Sequence, residues 1–180
     1  MKPFLEIGAH GGKFGPDWMT FDIDYEADVR GDLTKTLPFG DDCFEIVYLS
    51  HVLEHIPWYQ TVDVLKELHR ILKPGGRVEV HVPDFAKIVD GYRSWPKPVE
   101  GGEDWWTAND NHDPGLWLNG RLMRGPATPG EPEHYWHRTL FDRQHLENCL
   151  ERAGFKAPVL LGKPRGHDHG WINLGMSALK

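Results

Sequence analysis

The sequence is poor in cysteine, with only Cys43 and Cys149 among its 180 residues. Their spacing matches no metal-binding or disulfide framework, so we expect neither a disulfide-built module nor a cysteine-ligated metal. Positive charge is also in the minority, since 20 Lys and Arg face 27 Asp and Glu and leave a formal net charge of −7. An acidic chain is a poor binder of phosphate backbones, so we expect no nucleic-acid partner.

Long apolar runs are missing as well. No stretch reaches the ~20 apolar residues that a membrane-spanning helix needs. The first residues, Met1 to Phe4, lead directly into a predicted strand rather than into the apolar core of a signal peptide. We therefore expect no membrane partner, no cleaved signal peptide and a cytoplasmic location. Residues 1–180 are of a length that predicts a single domain.

Short apolar runs alternate with turns and helical patterns along most of the chain. Apolar residues at helical spacing predict a helix from Val62 to Leu72 that stops at Pro74, and a second helix that Asp142 caps and Gly154 ends. Alternating or continuous apolar runs predict six strands: Pro3–Ile7, Met19–Ile23, Phe44–Leu49, Arg77–Val82, Ala157–Leu161 and Trp171–Leu179. Strands that alternate with helices indicate an open α/β sheet.

Residues 94–133 differ from the rest, because they hold six Gly and six Pro in forty positions. This composition argues against long helices and central strands. Five of the eight tryptophans lie between residues 95 and 136, which argues against simple disorder. We predict an ordered, irregular insertion that acts as a lid or substrate cover. The alternative is a loop that only covers an exposed sheet edge.

Two of the predicted strands, and a short segment after them, end in residues that suit a ligand containing adenosine. Ligands of open parallel sheets bind beyond the carboxyl ends of the strands. Gly8 and Gly11-Gly12 follow the first strand, where a backbone can approach a ligand closely. Asp22 closes the second strand and can accept hydrogen bonds from a ribose diol. Asp32-Leu33 follows a short third segment and offers an acceptor and an apolar wall to a purine.

These residues belong to motifs that run through residues 4–85, with a looser match over residues 140–155. The motifs are Leu5-Glu6-Ile7-Gly8, Phe21-Asp22, Asp32-Leu33, Leu37-Pro38-Phe39, Val52-Leu53-Glu54-His55 and ELHRILKPGG at residues 67–76. On them the chain resembles the class I S-adenosylmethionine-dependent methyltransferases, in a type 11-like variety with a short first loop. The resemblance implies a three-layer Rossmann-like α/β sandwich with a mainly parallel seven-stranded sheet and an antiparallel last strand. It also implies S-adenosyl-L-methionine as the cofactor.

The resemblance further implies cofactor roles for nine residues at the strand ends. They are Glu6, Gly8, Ala9 and His10 beneath the methionine part, Asp22 at the ribose, Asp32 and Leu33 at the adenine, and Ser50 and His51 facing the sulfonium and the substrate. Most relatives carry Gly-x-Gly where this chain has Gly8-Ala9-His10. An alternative is therefore a catalytically silent binding protein that keeps the fold and has lost the cofactor. A Rossmann-type nucleotide binder is a third possibility, although Gly-x-Gly-x-x-Gly is absent.

The acceptor is expected to be a small molecule or a saccharide-type compound, methylated on oxygen or nitrogen. Transfer to a hydroxyl usually needs a base, for which histidine is the best-suited side chain at neutral pH. His51 follows the fourth strand and His137 lies in the stretch Glu133–His137, so these two are the candidate bases. Trp105 and Trp106 offer faces on which a sugar or another planar acceptor can stack.

We expect no metal site, with one alternative. The stretch from His51 to His55, with Glu54 between them, resembles the Glu-x-x-Glu-His arrangement with which ubiquinone-type O-methyltransferases hold a divalent metal. Two histidines and a carboxylate suit Zn²⁺ or Fe²⁺ better than Mg²⁺, which prefers oxygen ligands.

Overall fold

Seven strands form one sheet in a computed structural model that describes residues 2–9, 14–24, 26–94, 113–123, 132–166 and 170–180. The strands are β1 (Phe4–Ile7), β2 (Trp18–Asp22), β3 (Val29–Arg30), β4 (Phe44–Ser50), β5 (Leu72–Pro83), β6 (Lys156–Leu161) and β7 (Asn173–Leu179). Their order across the sheet is β3-β2-β1-β4-β5-β7-β6. The first five strands pair in parallel, and β7 pairs antiparallel with both β5 and β6. The predicted α/β class and the antiparallel last strand are confirmed.

The described residues form four α-helices, and two of them pack against one face of the sheet to build the main core. Helix α1 (Thr61–Ile71) buries Val64, Leu65, Leu68 and Ile71, the apolar positions that its sequence repeats at helical spacing. Helix α4 (Arg143–Arg152) begins where Asp142 Oδ1 accepts a hydrogen bond from the His145 amide at 2.7 Å. Both predicted helices are thus confirmed, and they share one core with strand residues that include Val78, Val80 and Val82.

Aromatic side chains cover the opposite face near β1, β2 and β4. The Phe14 ring lies 4.9 Å from the Trp18 ring and 5.2 Å from the Tyr48 ring, each edge to face. Arg165 donates two hydrogen bonds to the buried Glu79 and lies 5.8 Å from the Trp18 centroid. Through these contacts, residues 14–17 and 162–166 cover the sheet face that lies opposite the main core.

The remaining helices were not predicted. Helix α2 (Phe85–Ser94) starts after Asp84, whose Oδ1 accepts from the Ala86 amide at 3.0 Å. Helix α3 (Pro114–Met123) lies inside the predicted irregular insertion, so ten of those residues are helical. Asp113 caps it and Pro114 takes the first helical position, a common pairing at helix starts. Trp105 and Trp106 lie outside the described residues.

The described part of the chain contains no helix with the length and apolar character required to cross a bilayer. Trp171 and Ile172 were predicted to open the last strand, but they form a 3₁₀ turn, and β7 begins at Asn173.

Candidate active site

A cavity of about 330 Å³ opens at the carboxyl ends of β1, β2 and β4. The sheet order changes direction between β1 and β4, and this switch point is where open α/β sheets bind ligands. Five of the nine predicted cofactor residues line the cavity: Gly8, Asp22, Asp32, Leu33 and His51. Glu6, Ala9 and Ser50 are chain neighbours of lining residues, and His10 lies outside the described residues.

Gly8 is the residue at which the chain leaves β1 for the cavity. Its φ is +74°, in the left-handed region that favours glycine. A Cβ at this position would lie 2.2 Å from Val52 Cγ2. Both conformation and space therefore require glycine, because Val52 packs directly against the Gly8 backbone.

Asp22 closes β2 with its carboxylate at the cavity, and it is only 7% exposed. Its Oδ1 accepts a hydrogen bond from the Asp24 amide at 3.0 Å, which fixes the turn after the strand. The neighbouring Asp24 contacts His134 instead. Burial acts to raise the pKa of Asp24, but hydrogen bonds from His134 and Tyr135 outweigh it and leave that pKa below its ordinary value.

Asp32 and Leu33 lie across the cavity from β1. Asp32 Oδ1 accepts from the Thr34 amide at 2.8 Å and from the Thr34 hydroxyl at 2.7 Å. This turn holds the Asp32 carboxyl group at the cavity wall, beside the buried Leu33 side chain. The pair therefore offers one polar and one apolar contact in the place that the sequence predicted.

Two buried polar atoms near the β1 and β4 ends have no hydrogen-bond partner within the described residues: Glu6 Oε2 and Ser50 Oγ. Burial raises the pKa of Glu6 to about 7, although a hydrogen bond from the Phe14 amide opposes the rise. Unpartnered buried polar atoms are uncommon in native proteins and often mark a ligand site.

His51 takes an unusual backbone conformation immediately after β4, with φ of +53°. Such strain in a residue other than glycine is most often found at functional sites. The imidazole Nδ1 lies 3.2 Å from Glu54 Oε1, and Nε2 lies 3.1 Å from Asn173 Oδ1. Asn173 in turn contacts His81 Nδ1 at 3.1 Å. Both ring nitrogens of His51 thus have protein partners, and the ring is held at the cavity edge.

His137 does not line the same cavity as His51. It borders a second cavity of about 350 Å³, together with Glu133, Trp136 and Arg138. Its ring lies 5.1 Å from that of His55, which lines the main cavity. The metal alternative grouped His51, Glu54 and His55, whereas the structure brings potential ligand atoms of Glu54, His55 and His137 within 4.8 Å of one another.

The sequence reading missed several residues that line the main cavity. Ile23 follows Asp22 directly, so its position could have been inferred from that neighbour. Tyr59 and Arg138 come from irregular segments whose placement no local pattern shows, whereas Tyr135 belongs to the stretch Glu133–His137 that was expected to line the acceptor pocket. Arg138 reaches the site because its amide donates to the Glu54 carbonyl at 2.7 Å.

A family described as a methyltransferase domain matches residues 5–158, which is most of the chain. The chain belongs to this family. Membership confirms the resemblance stated from the motifs, and S-adenosyl-L-methionine is the cofactor that it implies.

Curated relatives include demethylmenaquinone methyltransferases. The protein from Lysinibacillus sphaericus is 35% identical over 71 residues, which are 36% of this chain and 30% of the relative. The protein from Staphylococcus epidermidis is 37% identical over 79 residues, or 41% of this chain and 32% of the relative. The aligned part thus spans about a third of the length of these relatives.

Solved structures show the same fold at low sequence identity. An S-adenosylmethionine-dependent methyltransferase from Archaeoglobus fulgidus has a TM-score of 0.60 and 15% identity, covering 98% of this chain and 85% of that one. An enzyme of the same description from Mesorhizobium loti has a TM-score of 0.55 and 14% identity, covering 98% and 90%.

The residues at the cavity fit the cofactor. Gly8 brings bare backbone to the cavity wall, and Asp22 adds a buried carboxylate that can accept hydrogen bonds from a ribose diol. Glu6 Oε2 and Ser50 Oγ are buried atoms without a partner in the described residues, although neither residue lines the cavity itself. Leu33 adds the apolar wall that an adenine needs.

Proposed function

We propose that this protein transfers a methyl group from S-adenosyl-L-methionine to a small-molecule acceptor that carries a planar or hydroxylated ring. One observation carries the proposal. The cavity that holds Gly8 and Asp22 also holds His51, His55 and Tyr59, so a cofactor site and an acceptor site share one space. When bound, the cofactor supplies an activated methyl group. The protein residues then bind, orient and exclude water.

Exposed aromatic side chains around the cavity support a ring-bearing acceptor. Trp58 and Tyr59 are 71% and 66% exposed, and their rings meet at 5.7 Å. Trp136 is 42% exposed beside the second cavity. Such faces stack on sugar rings and on aromatic rings alike. Because the curated relatives are named for demethylmenaquinone, quinol-type and saccharide-type acceptors are the two classes to test first.

His51 and His137 are the proposed bases if the acceptor atom is a hydroxyl. Glu54 Oε1 and Asn173 Oδ1 can only accept hydrogen bonds, so each contact needs a proton on the His51 nitrogen that faces it. His51 can act as a base only after one contact opens, and Nε2 is the nitrogen that would take the proton once its 3.1 Å contact with Asn173 is broken. His137 Nδ1 lies 3.0 Å from the Arg121 carbonyl, which can only accept a hydrogen bond. Its Nε2 is therefore the nitrogen that would accept a proton.

Calorimetric titration of purified protein with S-adenosylmethionine separates this proposal from the catalytically silent alternative. The proposal predicts saturable binding of one molecule per chain. Absence of binding at millimolar cofactor would favour the silent alternative.

Transfer of a labelled methyl group to quinols, saccharides and amines then identifies the acceptor class. For a hydroxyl acceptor, the single-turnover rate should rise with pH as the base loses its proton. His51→Ala or His137→Ala should abolish that rise. If both variants keep the wild-type rates and pH profile, neither histidine is the base.

A cytoplasmic location remains part of the proposal. Cys43 and Cys149 are both free, which suits a reducing compartment. Fractionation of cells that express the tagged protein would test it, and recovery in an extracytoplasmic fraction would contradict it.

A further inference from the structure

We infer that Glu54, His55 and His137 form a binding site for one divalent transition-metal ion. One potential ligand atom from each residue lies within 4.8 Å of the other two. Glu54 and His55 belong to a single 3₁₀ turn after β4, and His137 arrives from a distant part of the chain. The inference does not depend on the proposed methyl transfer, because metal binding can be measured without cofactor or acceptor.

Backbone hydrogen bonds hold the two segments together and thereby fix the cluster. The amides of Arg138 and Thr139 donate to the Glu54 carbonyl at 2.7 and 3.1 Å. The Thr139 hydroxyl donates to the Ile56 carbonyl at 2.7 Å and is buried. His137 therefore stands next to the Glu54 turn as a result of specific bonds on its carboxyl side.

Each of the two imidazole rings places its Nδ1 next to a backbone carbonyl. His55 Nδ1 lies 3.3 Å from the Trp136 carbonyl, and His137 Nδ1 lies 3.0 Å from the Arg121 carbonyl. Since a carbonyl oxygen only accepts, each Nδ1 carries the proton and each Nε2 of a neutral ring carries the lone pair. A histidine that ligates a metal commonly donates its other N–H in this way.

Glu54 supplies the second, independent observation. Glu54 is 2% exposed, and neither of its carboxylate oxygens accepts a hydrogen bond of good geometry from the part of the chain that the structure describes. Its Oε1 faces His51 Nδ1 at 3.2 Å. An ionised carboxylate is costly to bury without compensation. A cation between Glu54, His55 and His137 would compensate it, with His51 supporting the carboxylate from behind.

The donor set selects the kind of metal. Two imidazole nitrogens and one carboxylate oxygen suit Zn²⁺, Co²⁺ or Fe²⁺, whereas Mg²⁺ and Ca²⁺ prefer oxygen ligands. Ligand atoms held about 2.0–2.2 Å from Zn²⁺ in a tetrahedron lie roughly 3–3.5 Å from one another. The distances of up to 4.8 Å between the three ligand atoms would therefore have to shorten by less than about 2 Å. The half-buried rings of His55 and His137 can make that adjustment.

Three protein ligands leave at least one metal position open. His55 lines the main cavity and His137 borders the second, so an ion held by both would lie between them. An acceptor oxygen could take the open position. A ligated His137 cannot also serve as the base, which would leave His51 as the candidate for that role.

The test is a titration of chelator-treated protein with Co²⁺, followed by visible absorbance and by displacement with Zn²⁺. Wild-type protein should bind one ion per chain. His137→Ala and His55→Ala should each weaken binding at least tenfold. His134→Ala is the matched control, because it removes an imidazole three residues away that contacts Asp24 instead, and its affinity should stay within about threefold.

Circular dichroism establishes that each variant is folded, and affinity for S-adenosylhomocysteine reports on the cofactor site separately. If His137→Ala does not fold, His55→Ala carries the test. Absence of saturable Co²⁺ binding by wild-type protein would overturn the inference. Equal losses of Co²⁺ affinity in His137→Ala and His134→Ala would overturn the inference as well.

Discussion

The two ends of the main cavity are held in place by different kinds of structure. At the end where we propose that the cofactor binds (the cofactor end), Gly8 follows β1 and Asp22 is the last residue of β2, and the parallel register places Ile7 beside Phe21. At the acceptor end, His55 lies on a 3₁₀ turn, and the neighbouring segment around His137 is irregular. Hydrogen bonds from residues 138–139 to residues 54–56 connect these two pieces.

This difference indicates that the two ends can be perturbed independently. Strand register fixes the cofactor end, so a change there should act on cofactor affinity and on the stability of the whole sheet. A few hydrogen bonds fix the acceptor end, so a change there should act on metal binding and turnover while cofactor affinity stays unchanged. The predictions below test that separation, beginning with the largest expected effect.

Gly8→Ala should damage the cofactor end most. The left-handed conformation costs an L-residue about 1–2 kcal/mol, and displacing Val52 from its 2.2 Å overlap adds about 1–3 kcal/mol. We expect the free energy of unfolding to fall by about 2–5 kcal/mol in urea denaturation, together with loss of measurable cofactor binding.

Gly75→Ala is the matched control, since Gly75 has φ of +78° but no heavy atom within 4 Å of the added Cβ. The free energy of unfolding of this variant should fall by only about 1–2 kcal/mol, and its cofactor affinity should stay unchanged. Equal losses of stability and of cofactor affinity in Gly8→Ala and Gly75→Ala would show that Val52 does not constrain the cofactor end.

Glu6→Gln should change how stability depends on pH. Burial raises the pKa of Glu6 from 4.5 to about 7. An acid with a raised pKa in the folded state contributes stability below its unfolded pKa, and this contribution is lost as pH rises through the folded pKa. The wild-type protein should therefore lose up to about 3 kcal/mol relative to Glu6→Gln between pH 5 and pH 8.

Urea denaturation of both proteins at the two pH values measures this difference. Glu26→Gln, which changes an exposed carboxylate, should have the same free energy of unfolding as the wild type at both pH values. A constant difference between wild type and Glu6→Gln across this pH range would contradict the raised pKa.

Thr139→Val should have the smallest effect and should be confined to the acceptor end. It removes the 2.7 Å bond from the Thr139 hydroxyl to the Ile56 carbonyl. A lost buried hydrogen bond costs about 1–2 kcal/mol. Thr36→Val, at an exposed position, is the control. Cofactor affinity should stay within about twofold in both variants, and a large loss in Thr139→Val would show that the two ends are coupled.

Local patterns in the sequence were sufficient to bring Gly8 and Asp22 together at one cavity. Asp22 and Gly8 were found because each directly follows a short apolar run, and parallel strands bring their carboxyl ends together. The start of α4 was also predicted from a local pattern, because the capping residue Asp142 and the apolar repeat of the helix lie within a few residues of each other.

The acceptor end depends on contacts that no local pattern contains. His137 joins Glu54 through backbone bonds between distant parts of the chain, and a sequence window shows neither partner. Helix α3 was missed for a different reason. Its Gly and Pro content suggested a loop, while the Asp113-Pro114 start signal was overlooked.

Calorimetric titration with S-adenosylhomocysteine tests the central claim most directly, by comparing wild type with Asp22→Ala. Asp22→Asn, which keeps an acceptor for the Asp24 amide, controls for the turn, and Asp24→Ala controls for the neighbouring carboxylate. Two charge-assisted hydrogen bonds to the ribose are worth about 1.5–3 kcal/mol each at most, and about 1.4 kcal/mol is one decade in affinity. We predict that Asp22→Ala raises the Kd at least tenfold and that Asp24→Ala changes it much less. Unchanged affinity in Asp22→Ala, or a larger loss in Asp24→Ala, would contradict the placement of the cofactor at the end of β2.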